Sequence, residues 1–433
     1  MANLSEKIRP SSEIIDGDLD NGLKDSAELD NEEDNFSESY WLSLEQKTLL
    51  AFAITILYGG LWISWGIFNK DFWTTTIKVS EYLSNIYGFL LAYSWFFSEI
   101  AYKWYMFIIG ILIAFAPRKD RAWTSIATFI TSYVVRQYIR LLAEESRPQY
   151  DSIIIKIWHC NCSFGLPSGH SEGSTMLYTL LIYNFMPQKP TTNQRILYSI
   201  LCFWICTSVY FSRVYFGKHS IMQVLLGGTQ GYFFFFWMLR FENQLNEFFR
   251  GFLNGCQKTI KIVIGVSAAV AILSSIAWYA YFDVRISDLN IPHLTCAYCF
   301  TNKNEYLRHD LGRALTFPFI VLALAVAQAM ARPAYKVRPE HVRAYVPRLT
   351  SINGIKRLFS ILICYSPLIL TLFVKVNPHF LVLLSCLLNV VSGYAIGSQT
   401  LIYDKLEWTI QGDASSLSSL NTVEKLKKDT EMY

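Results

Sequence analysis

Runs of apolar residues alternate with short polar segments along most of this chain. A helix that crosses a bilayer needs roughly 20 mostly apolar residues. The pattern predicts spans near residues 48–68, 99–116, 122–142, 169–187, 195–211, 220–240, 259–282, 313–331, 357–375 and 378–401. The segment 71–98 is amphipathic, so we expect it to lie at the membrane interface. The sequence therefore predicts an all-α, polytopic membrane protein of about nine or ten transmembrane helices.

Both ends of the chain are polar. Residues 1–47 are rich in Asp, Glu, Ser and Asn, which is typical of a disordered tail. They hold no basic start followed by an apolar stretch and a cleavage site, so we expect no cleavable signal peptide and a first span that acts as an uncleaved anchor. The pattern divides the chain into five parts. They are an acidic tail (1–47), a first span with its interfacial segment (48–98), a central group of spans (99–240), a C-terminal group of spans (241–402) and a polar tail (403–433).

The composition favours a membrane protein over a soluble one. Of 433 residues, 52% are hydrophobic and only 17% are charged, whereas soluble proteins carry about 25% charged residues. The net charge of +4 is small for this length. We therefore expect the lipid bilayer as a partner, and no nucleic acid.

Three polar motifs interrupt the central apolar runs, and their side chains are those that handle phosphate. They are Arg140 with Arg147-Pro148, then Gly165-Leu166-Pro167-Ser168-Gly169-His170, and then Ser212-Arg213 with His219 and Gln223. Guanidinium groups match phosphate oxygens with a planar fork of donors, and two imidazoles can share the roles of nucleophile and proton donor near neutral pH. The set predicts a membrane-embedded phosphatase.

The basic loops predict the orientation of the chain. Residues 118–121 and 332–357 form the most basic connections, and in a ten-span alternation both lie on one side, which should be cytosolic. Both termini then face the cytosol. All three motifs fall on the opposite side, so the site is expected to open to a lumen or to the cell exterior.

The predicted non-cytosolic loops carry residues suited to an oxidising compartment. Four cysteines lie there, at Cys160, Cys162, Cys296 and Cys299. Their spacings also suit zinc, but we expect disulfides across the two loops. Asn161 begins an N-glycosylation sequon on the same side.

Hydrolysis of a phosphate monoester without a metal or other cofactor needs a nucleophile, an acid for the leaving group, and cations around the phosphoryl oxygens. His219 is the candidate nucleophile, through a phosphohistidine that water resolves, and His170 is the candidate acid. The candidate phosphate ligands are Arg140, Arg147, Arg213, the Ser168 hydroxyl and the Gly169 N–H. Gly169 also lets the backbone approach an oxyanion closely, at the start of a helix whose free N–H groups favour anions.

The second ring nitrogen of a nucleophilic histidine must be held by an acceptor. Gln223 follows His219 by one helical turn, so its amide oxygen is at the right spacing. A carboxylate would orient the ring more strongly, and Glu172 is the other candidate. The sequence does not choose between them.

The motifs resemble those of the type 2 phosphatidic acid phosphatase (PAP2) superfamily, written KxxxxxxRP, PSGH and SRxxxxxHxxxD. Arg140 replaces the lysine of the first motif, and Gln223 stands where most members have Asp in the third. The resemblance implies a PAP2-type core of about six helices over residues 99–240. It also implies that His219 is the phosphohistidine nucleophile and His170 the proton donor, with Arg147 and Arg213 as phosphate ligands.

Within the superfamily, the details are most similar to the glucose-6-phosphatase branch. That branch shares the pattern from Gly165 to Gly173, the pair Gln223-Val224 and a C-terminal extension of further spans. The similarity implies hydrolysis of glucose 6-phosphate at a lumen-facing site of the endoplasmic-reticulum membrane, with a sugar-phosphate transporter as a partner. Two features differ from the branch: an acidic tail with an extra early span, and no dilysine retrieval signal at the C-terminus.

Two other functions remain open. A lipid phosphatase of the same superfamily would act on phosphatidate, sphingosine phosphate or dolichyl diphosphate, and an apolar slot beside His219 would favour it. Polar, aromatic walls would favour the sugar. An anion channel or transporter would use the arginines but would leave His170 and His219 without a task.

Overall fold

The computed structural model describes residues 42–86, 88–100, 118–150, 164–187, 190–253 and 256–285, with single positions at 109, 111, 112, 115, 116, 155, 355, 358 and 359. This part of the chain is helical. Its α-helices are α1 (Leu44–Ser84), α2 (Phe89–Ile100), α3 (Lys119–Ala143), α4 (Gly169–Phe185), α5 (Thr192–Tyr215), α6 (Ile221–Arg240), α7 (Glu242–Leu253) and α8 (Gln257–Arg285). A 3-10 helix, Pro148–Tyr150, lies between α3 and α4.

Most predicted spans in the described part coincide with helices. The spans at 122–142, 169–187, 195–211, 220–240 and 259–282 correspond to α3, α4, α5, α6 and α8. The spans at 313–331 and 378–401 lie outside the described residues, as do most of 99–116 and 357–375. By length and composition, α1 and α5 are the helices of the described part that could cross a bilayer. The total of nine or ten spans stays a prediction.

Side-chain caps fix the starts of several helices. Ser43, Thr191 and Ser220 each accept a hydrogen bond from the backbone N–H three residues on, and a glutamine at that third position returns one to the cap backbone. This reciprocal capping satisfies donors that a helix start leaves unpaired. In α6 the returning glutamine is Gln223, so one residue both starts the helix and lies beside His219.

The first helix is longer than the apolar pattern predicted. The first span was expected to end at residue 68, and α1 does lose helical dihedral angles there, at Phe68 (φ −111°, ψ 16°). The helix then continues to Ser84 instead of ending. Residues 71–84, expected in a separate interfacial segment, are therefore the second half of α1, and α2 is a separate helix that packs on α5.

The main apolar core and the motifs lie at opposite ends of the bundle. Buried side chains from the start of α3, the end of α4 and the end of α6 pack with α7, among them Ile126, Tyr183, Phe235 and Phe252. The motifs lie at the other end of α3, α4 and α6, and after α5. Packing at one end therefore aligns α3, α4 and α6 so that their other ends converge.

Candidate active site

His219 lies in the turn between α5 and α6, and only 1% of its surface is exposed. Its Nδ1 is 2.9 Å from the carbonyl oxygen of Gly165 and 3.1 Å from Oε1 of Gln223. A carbonyl oxygen only accepts, so Nδ1 carries the ring proton. Nε2 is 2.9 Å from Nη1 of Arg147, a group that only donates. Both contacts require a neutral ring with its lone pair on Nε2.

The charge around His219 favours the same neutral form. Burial holds the pKa of His219 well below its ordinary value, and the positive charges of Arg147, Arg213 and Arg140 lower this pKa further. A protonated ring would be a second buried cation against Arg147. The imidazole is therefore unprotonated at Nε2 near neutral pH.

Gln223 is held in one amide orientation by its neighbours. Its Oε1 accepts from the backbone N–H of Ser220 at 3.2 Å as well as from His219. Its Nε2 donates to the carbonyl oxygen of Ser146 at 2.8 Å and to a carboxylate oxygen of Glu145 at 3.0 Å. Because N–H groups only donate and carbonyl oxygens only accept, a flipped amide would lose these bonds.

The alternative candidate, Glu172, is engaged elsewhere. It accepts hydrogen bonds from Ser132 and from Arg136, and it forms a buried ion pair with Arg136. Of the two candidates left open by the sequence, the structure places Gln223 against Nδ1 of His219.

This arrangement requires glycine at position 165, because the Gln223 amide occupies the space that a side chain there would need. A Cβ atom at Gly165 would lie 2.5 Å from both Nε2 and Oε1 of Gln223, and 2.6 Å from the carbonyl oxygen of Ser146. These distances are shorter than any real Cβ contact. Only glycine can therefore occupy this position while Gln223 contacts His219.

Two predicted phosphate ligands, Arg147 and Arg213, are buried arginines that donate hydrogen bonds to neighbouring segments. Arg147 donates through Nη1 to the carbonyl oxygen of Lys218 at 2.9 Å and through Nη2 to that of Phe164 at 3.1 Å. Arg213 donates through Nη1 to the Ser98 hydroxyl at 2.6 Å. Among the described residues no partner accepts from Nε or Nη2 of Arg213, although both atoms are buried. Unpaired buried donors of this kind are satisfied when an anion binds.

Arg140 lies beneath the second motif, with a neighbour that the sequence analysis missed. Its Nη2 donates to the carbonyl oxygen of Pro167 at 3.0 Å. One turn earlier, Arg136 donates to the carbonyl oxygen of Gly169 at 3.0 Å. A Cβ atom at Gly169 would lie 3.0 Å from Nη2 of Arg140 and 3.2 Å from Cζ of Arg136. The i to i+4 spacing on α3 is the sequence signal that could have identified Arg136.

The second motif starts α4 and contacts the third. The Ser168 hydroxyl caps the helix by accepting from the backbone N–H of Ser171 at 3.5 Å, and it also accepts from the Ser171 hydroxyl at 3.0 Å. The backbone N–H of Ser168 donates to the Gln223 carbonyl at 2.9 Å. The N–H groups of the first turn, from Gly169 onward, have no acceptor within the helix. His170 lies in this turn and is half-buried, whereas His219 is fully buried.

The N-terminal helices contribute to the site, which the sequence analysis did not predict. Ser98 of α2 accepts from Arg213, as described above. On α1, Trp65 donates to Glu145 at 3.1 Å, Thr76 accepts from the backbone N–H of Ile221 at 3.1 Å, and Ser80 donates to the carbonyl of Val214 at 2.8 Å.

An apolar groove lies between the second half of α1 and the helices that flank His219. It encloses about 250 Å³ and is lined by Val79 and Leu83 of α1, Val214 of α5, and Ile221 and Val224 of α6, with further side chains. The α5 and α6 residues are immediate sequence neighbours of the third motif.

The remaining predicted site residues cannot be placed. Asn161, Cys160, Cys162, Cys296 and Cys299 lie outside the described residues. The glycosylation and disulfide assignments therefore stay predictions.

These features define a helical bundle with a neutral, oriented histidine inside a cluster of buried guanidinium groups, an arrangement whose chemistry suits an oxyanion beside a nucleophile. Residues 121–247 match the sequence model of the PAP2 superfamily. The match contains all three motifs, whereas α1 and α2 precede it.

Two bacterial proteins illustrate the similarity. The chain is 26% identical over 143 residues to phosphatidylglycerophosphatase B of Bacillus subtilis (strain 168), a match that covers 33% of this chain and 68% of the relative. This chain is also similar to the crystal structure of a transmembrane PAP2-type phosphatidylglycerolphosphate phosphatase from Bacillus subtilis, with 19% sequence identity and a TM-score of 0.38. The match covers 45% of this chain and 96% of the chain in that structure. The sequence match to the PAP2 model does not distinguish the glucose-6-phosphatase branch from the rest of the superfamily.

Proposed function

We propose that this protein is a membrane-embedded phosphatase that hydrolyses a phosphorylated lipid through a phosphohistidine on His219. The observation that carries the proposal is the state of the His219 ring. Its Nδ1–H is held by two acceptors and its Nε2 lone pair points at the Arg147 guanidinium. A nucleophile beside a phosphate-binding cation is the arrangement that phosphoryl transfer requires.

In the first step, a phosphoryl oxygen replaces Nε2 of His219 as the acceptor of the Arg147 N–H. This exchange brings phosphorus next to the lone pair. Nε2 then forms a bond to phosphorus while the bond from phosphorus to the leaving oxygen breaks. His170 gives its proton to that oxygen, and Arg147 and Arg213 stabilise the charge on the equatorial oxygens.

In the second step, water resolves the phosphohistidine. His170 accepts a proton from the attacking water, whose oxygen bonds to phosphorus as the bond to Nε2 breaks. Inorganic phosphate leaves, and both histidines return to their starting protonation states. The guanidinium groups provide the cationic charge in both steps, so the proposal needs no metal ion and no organic cofactor.

Two observations support a lipid substrate. The curated relative is named a phosphatidylglycerophosphatase. The apolar groove beside Val214, Ile221 and Val224 has the wall chemistry that suits an acyl or isoprenyl chain. The sequence analysis named an apolar slot beside His219 as the feature that would favour a lipid. This groove adjoins the third motif along α5 and α6, and His219 is not among its lining residues.

Glucose 6-phosphate is the second candidate substrate. It is favoured by the Gln223-Val224 pair and the glycine pattern from Gly165 to Gly173, which are similar to the glucose-6-phosphatase branch. With that substrate, the proposal includes an endoplasmic-reticulum membrane, a lumen-facing site and a transporter that supplies the sugar phosphate.

Phosphate release by purified protein in EDTA tests the proposal. The panel contains phosphatidylglycerol phosphate, phosphatidate, sphingosine phosphate, dolichyl diphosphate and glucose 6-phosphate, each with the wild type and with His219→Ala. We expect release from a lipid that requires His219. Release only from glucose 6-phosphate would replace the lipid substrate, and no release from any compound would overturn the phosphatase assignment.

A further inference from the structure

A carboxylate lies behind the amide that holds the nucleophile. Glu145 follows α3, two residues before Arg147, and its Oε2 accepts from Nε2 of Gln223 at 3.0 Å. Oε1 of the same glutamine lies 3.1 Å from Nδ1 of His219. A hydrogen-bonded chain therefore runs from the Glu145 carboxylate through the Gln223 amide to the imidazole.

The structure holds this carboxylate firmly. The indole N–H of Trp65, on α1, donates to Oε1 of Glu145 at 3.1 Å, and the backbone carbonyl of Glu145 accepts from the N–H of Gly165 at 2.7 Å. Burial raises the pKa of Glu145 above its ordinary value, and hydrogen bonds from Trp65, Gln223 and Asn69 offset only part of this rise. Donors that converge on a carboxylate favour its ionised form.

We infer that Glu145 is a positioning residue for His219, acting through Gln223, and that it supplies the negative charge which an aspartate beside the histidine would supply directly. The inference rests on the proposed function, because it assigns a task to Glu145 only if His219 is the nucleophile. It accounts for an amide at a position where the superfamily motif has a carboxylate.

The physical reason is the charge that develops on the ring. When Nε2 bonds to phosphorus the imidazole becomes cationic, inside a cluster of arginines that opposes this change. The Nδ1–H then donates more strongly to Oε1 of Gln223, and the Gln223 Nε2–H donates more strongly to Glu145. Hydrogen bonds in such a chain strengthen one another in a low-dielectric site.

Replacement of Glu145 by glutamine separates this role from a structural one. Glu145→Gln keeps the side-chain length and keeps an oxygen that can accept from Gln223 and Trp65, but it removes the charge. We expect kcat and the rate of phosphoenzyme formation to fall about tenfold or more. KM and vanadate affinity should change less than twofold, because Glu145 does not contact the phosphoryl group.

Glu144→Gln is the matched control. It makes the same change of charge one residue away, in a side chain that is not among the described partners of Gln223 and His219, and should keep wild-type kcat. Equal losses in both variants would show a general effect of charge and overturn the inference, as would wild-type kcat in Glu145→Gln.

The double variant Glu145→Gln/Gln223→Asp tests the transfer of the charge. It removes the carboxylate from one position and introduces one directly beside His219. We expect kcat above that of either single variant, since Gln223→Asp alone places two carboxylates together. A double variant no better than Glu145→Gln would contradict the electrostatic role.

His219→Ala separates failure of this inference from failure of the proposed function. If His219→Ala still hydrolyses the substrate, the nucleophile assignment is wrong and the role of Glu145 falls with it. If His219→Ala is inactive while Glu145→Gln matches the wild type, only the inference about Glu145 is wrong. Thermal unfolding and vanadate binding of each variant show that the fold and the anion site are intact.

Discussion

At the scale of single residues, the tautomer of His219 is determined by partners that can only accept or only donate a hydrogen bond. The carbonyl of Gly165 can only accept, and the guanidinium of Arg147 can only donate. These two contacts, at the two ring nitrogens of His219, determine the tautomer without any observed hydrogen atom. The same logic determines the amide orientation of Gln223.

Arg213→Lys is expected to lose activity although it keeps the charge. Lysine can retain one bond to Ser98 but cannot supply donors at the positions of Nε and Nη2, which are buried and without a protein partner in the described residues. Hydrogen bonds to charged groups contribute about 1.5–3 kcal/mol each, so we expect kcat/KM to fall roughly 100-fold. Steady-state kinetics measures this fall in kcat/KM. The control is Arg240→Lys, at the far end of α6. Near wild-type kinetics in Arg213→Lys would rule out a direct contact with phosphate.

Burial of a neutral His219 predicts that acid destabilises the protein. The pKa of His219 is lower in the folded state than in the unfolded state, so the unfolded chain binds the proton more readily. The stabilising contribution is complete above the unfolded pKa, about 6.5, and is lost as the pH falls below it, at up to about 1.4 kcal/mol per pH unit. His219→Gln removes the titrating imidazole and with it this pH-dependent contribution to the free energy of unfolding. Between roughly pH 7.5 and 5.5 the unfolding temperature should therefore fall less in His219→Gln than in the wild type, and an equal fall in both would contradict the assignment.

Residue type and spacing were sufficient to predict which motif side chains lie together in the structure, and insufficient to predict the residues that support them. His219, Arg147 and Gln223 were identified from a motif. Glu145 was missed because an acidic residue after a helix has no distinctive pattern, and its importance depends on a contact with Gln223, 78 positions further along the chain. Such contacts follow from helix packing and not from local sequence.

At the scale of elements, α1 is part of the active-site scaffold. Sequence analysis separated it from the catalytic core because its apolar run looked like an independent anchor. Small hydroxyl residues within that run, Thr76 and Ser80, look like ordinary packing residues in a transmembrane segment. In the structure they hold the backbone at Ile221 and Val214, on either side of the turn that carries His219.

The double variant Thr76→Val/Ser80→Ala should loosen this turn. Thr76→Val removes the acceptor of the Ile221 N–H, which costs about 1–3 kcal/mol. Ser80→Ala removes one of two hydrogen bonds to the Val214 carbonyl, which still accepts from the N–H of Gly217. We expect a lower unfolding temperature and a lower kcat, because His219 is less firmly placed. Thr74→Val is the control: Thr74 lies on the same helix, is exposed, and bonds only within α1, to the carbonyl of Lys70, among the contacts that the structure describes. If the double variant keeps wild-type kcat, α1 does not position the turn.

At the scale of the whole molecule, a second buried polar cluster lies at the end opposite the active site. Glu242, at the start of α7, pairs with Lys47 of α1 and Arg121 of α3, each at 3.0 Å, and accepts from the Tyr183 hydroxyl of α4 at 2.7 Å. Burial alone would raise the pKa of Glu242, but Arg121 and Lys47 together hold it below its ordinary value. The cluster joins four helices, and three of them, α1, α3 and α4, also contribute residues to the site at the other end of the bundle.

Glu242→Gln should therefore reduce stability without changing the chemistry. The substitution leaves two buried cations without their anion, and breaking a buried ion pair in this way costs about 3–5 kcal/mol. We expect a clear drop in unfolding temperature, while kcat per folded molecule stays within about twofold of the wild type because no catalytic group is touched. The control is Glu247→Gln, which removes a carboxylate from an exposed position of the same helix and should leave stability nearly unchanged. Loss of kcat at temperatures where Glu242→Gln is fully folded would show instead that the two ends of the bundle are coupled, with this cluster setting the geometry around His219.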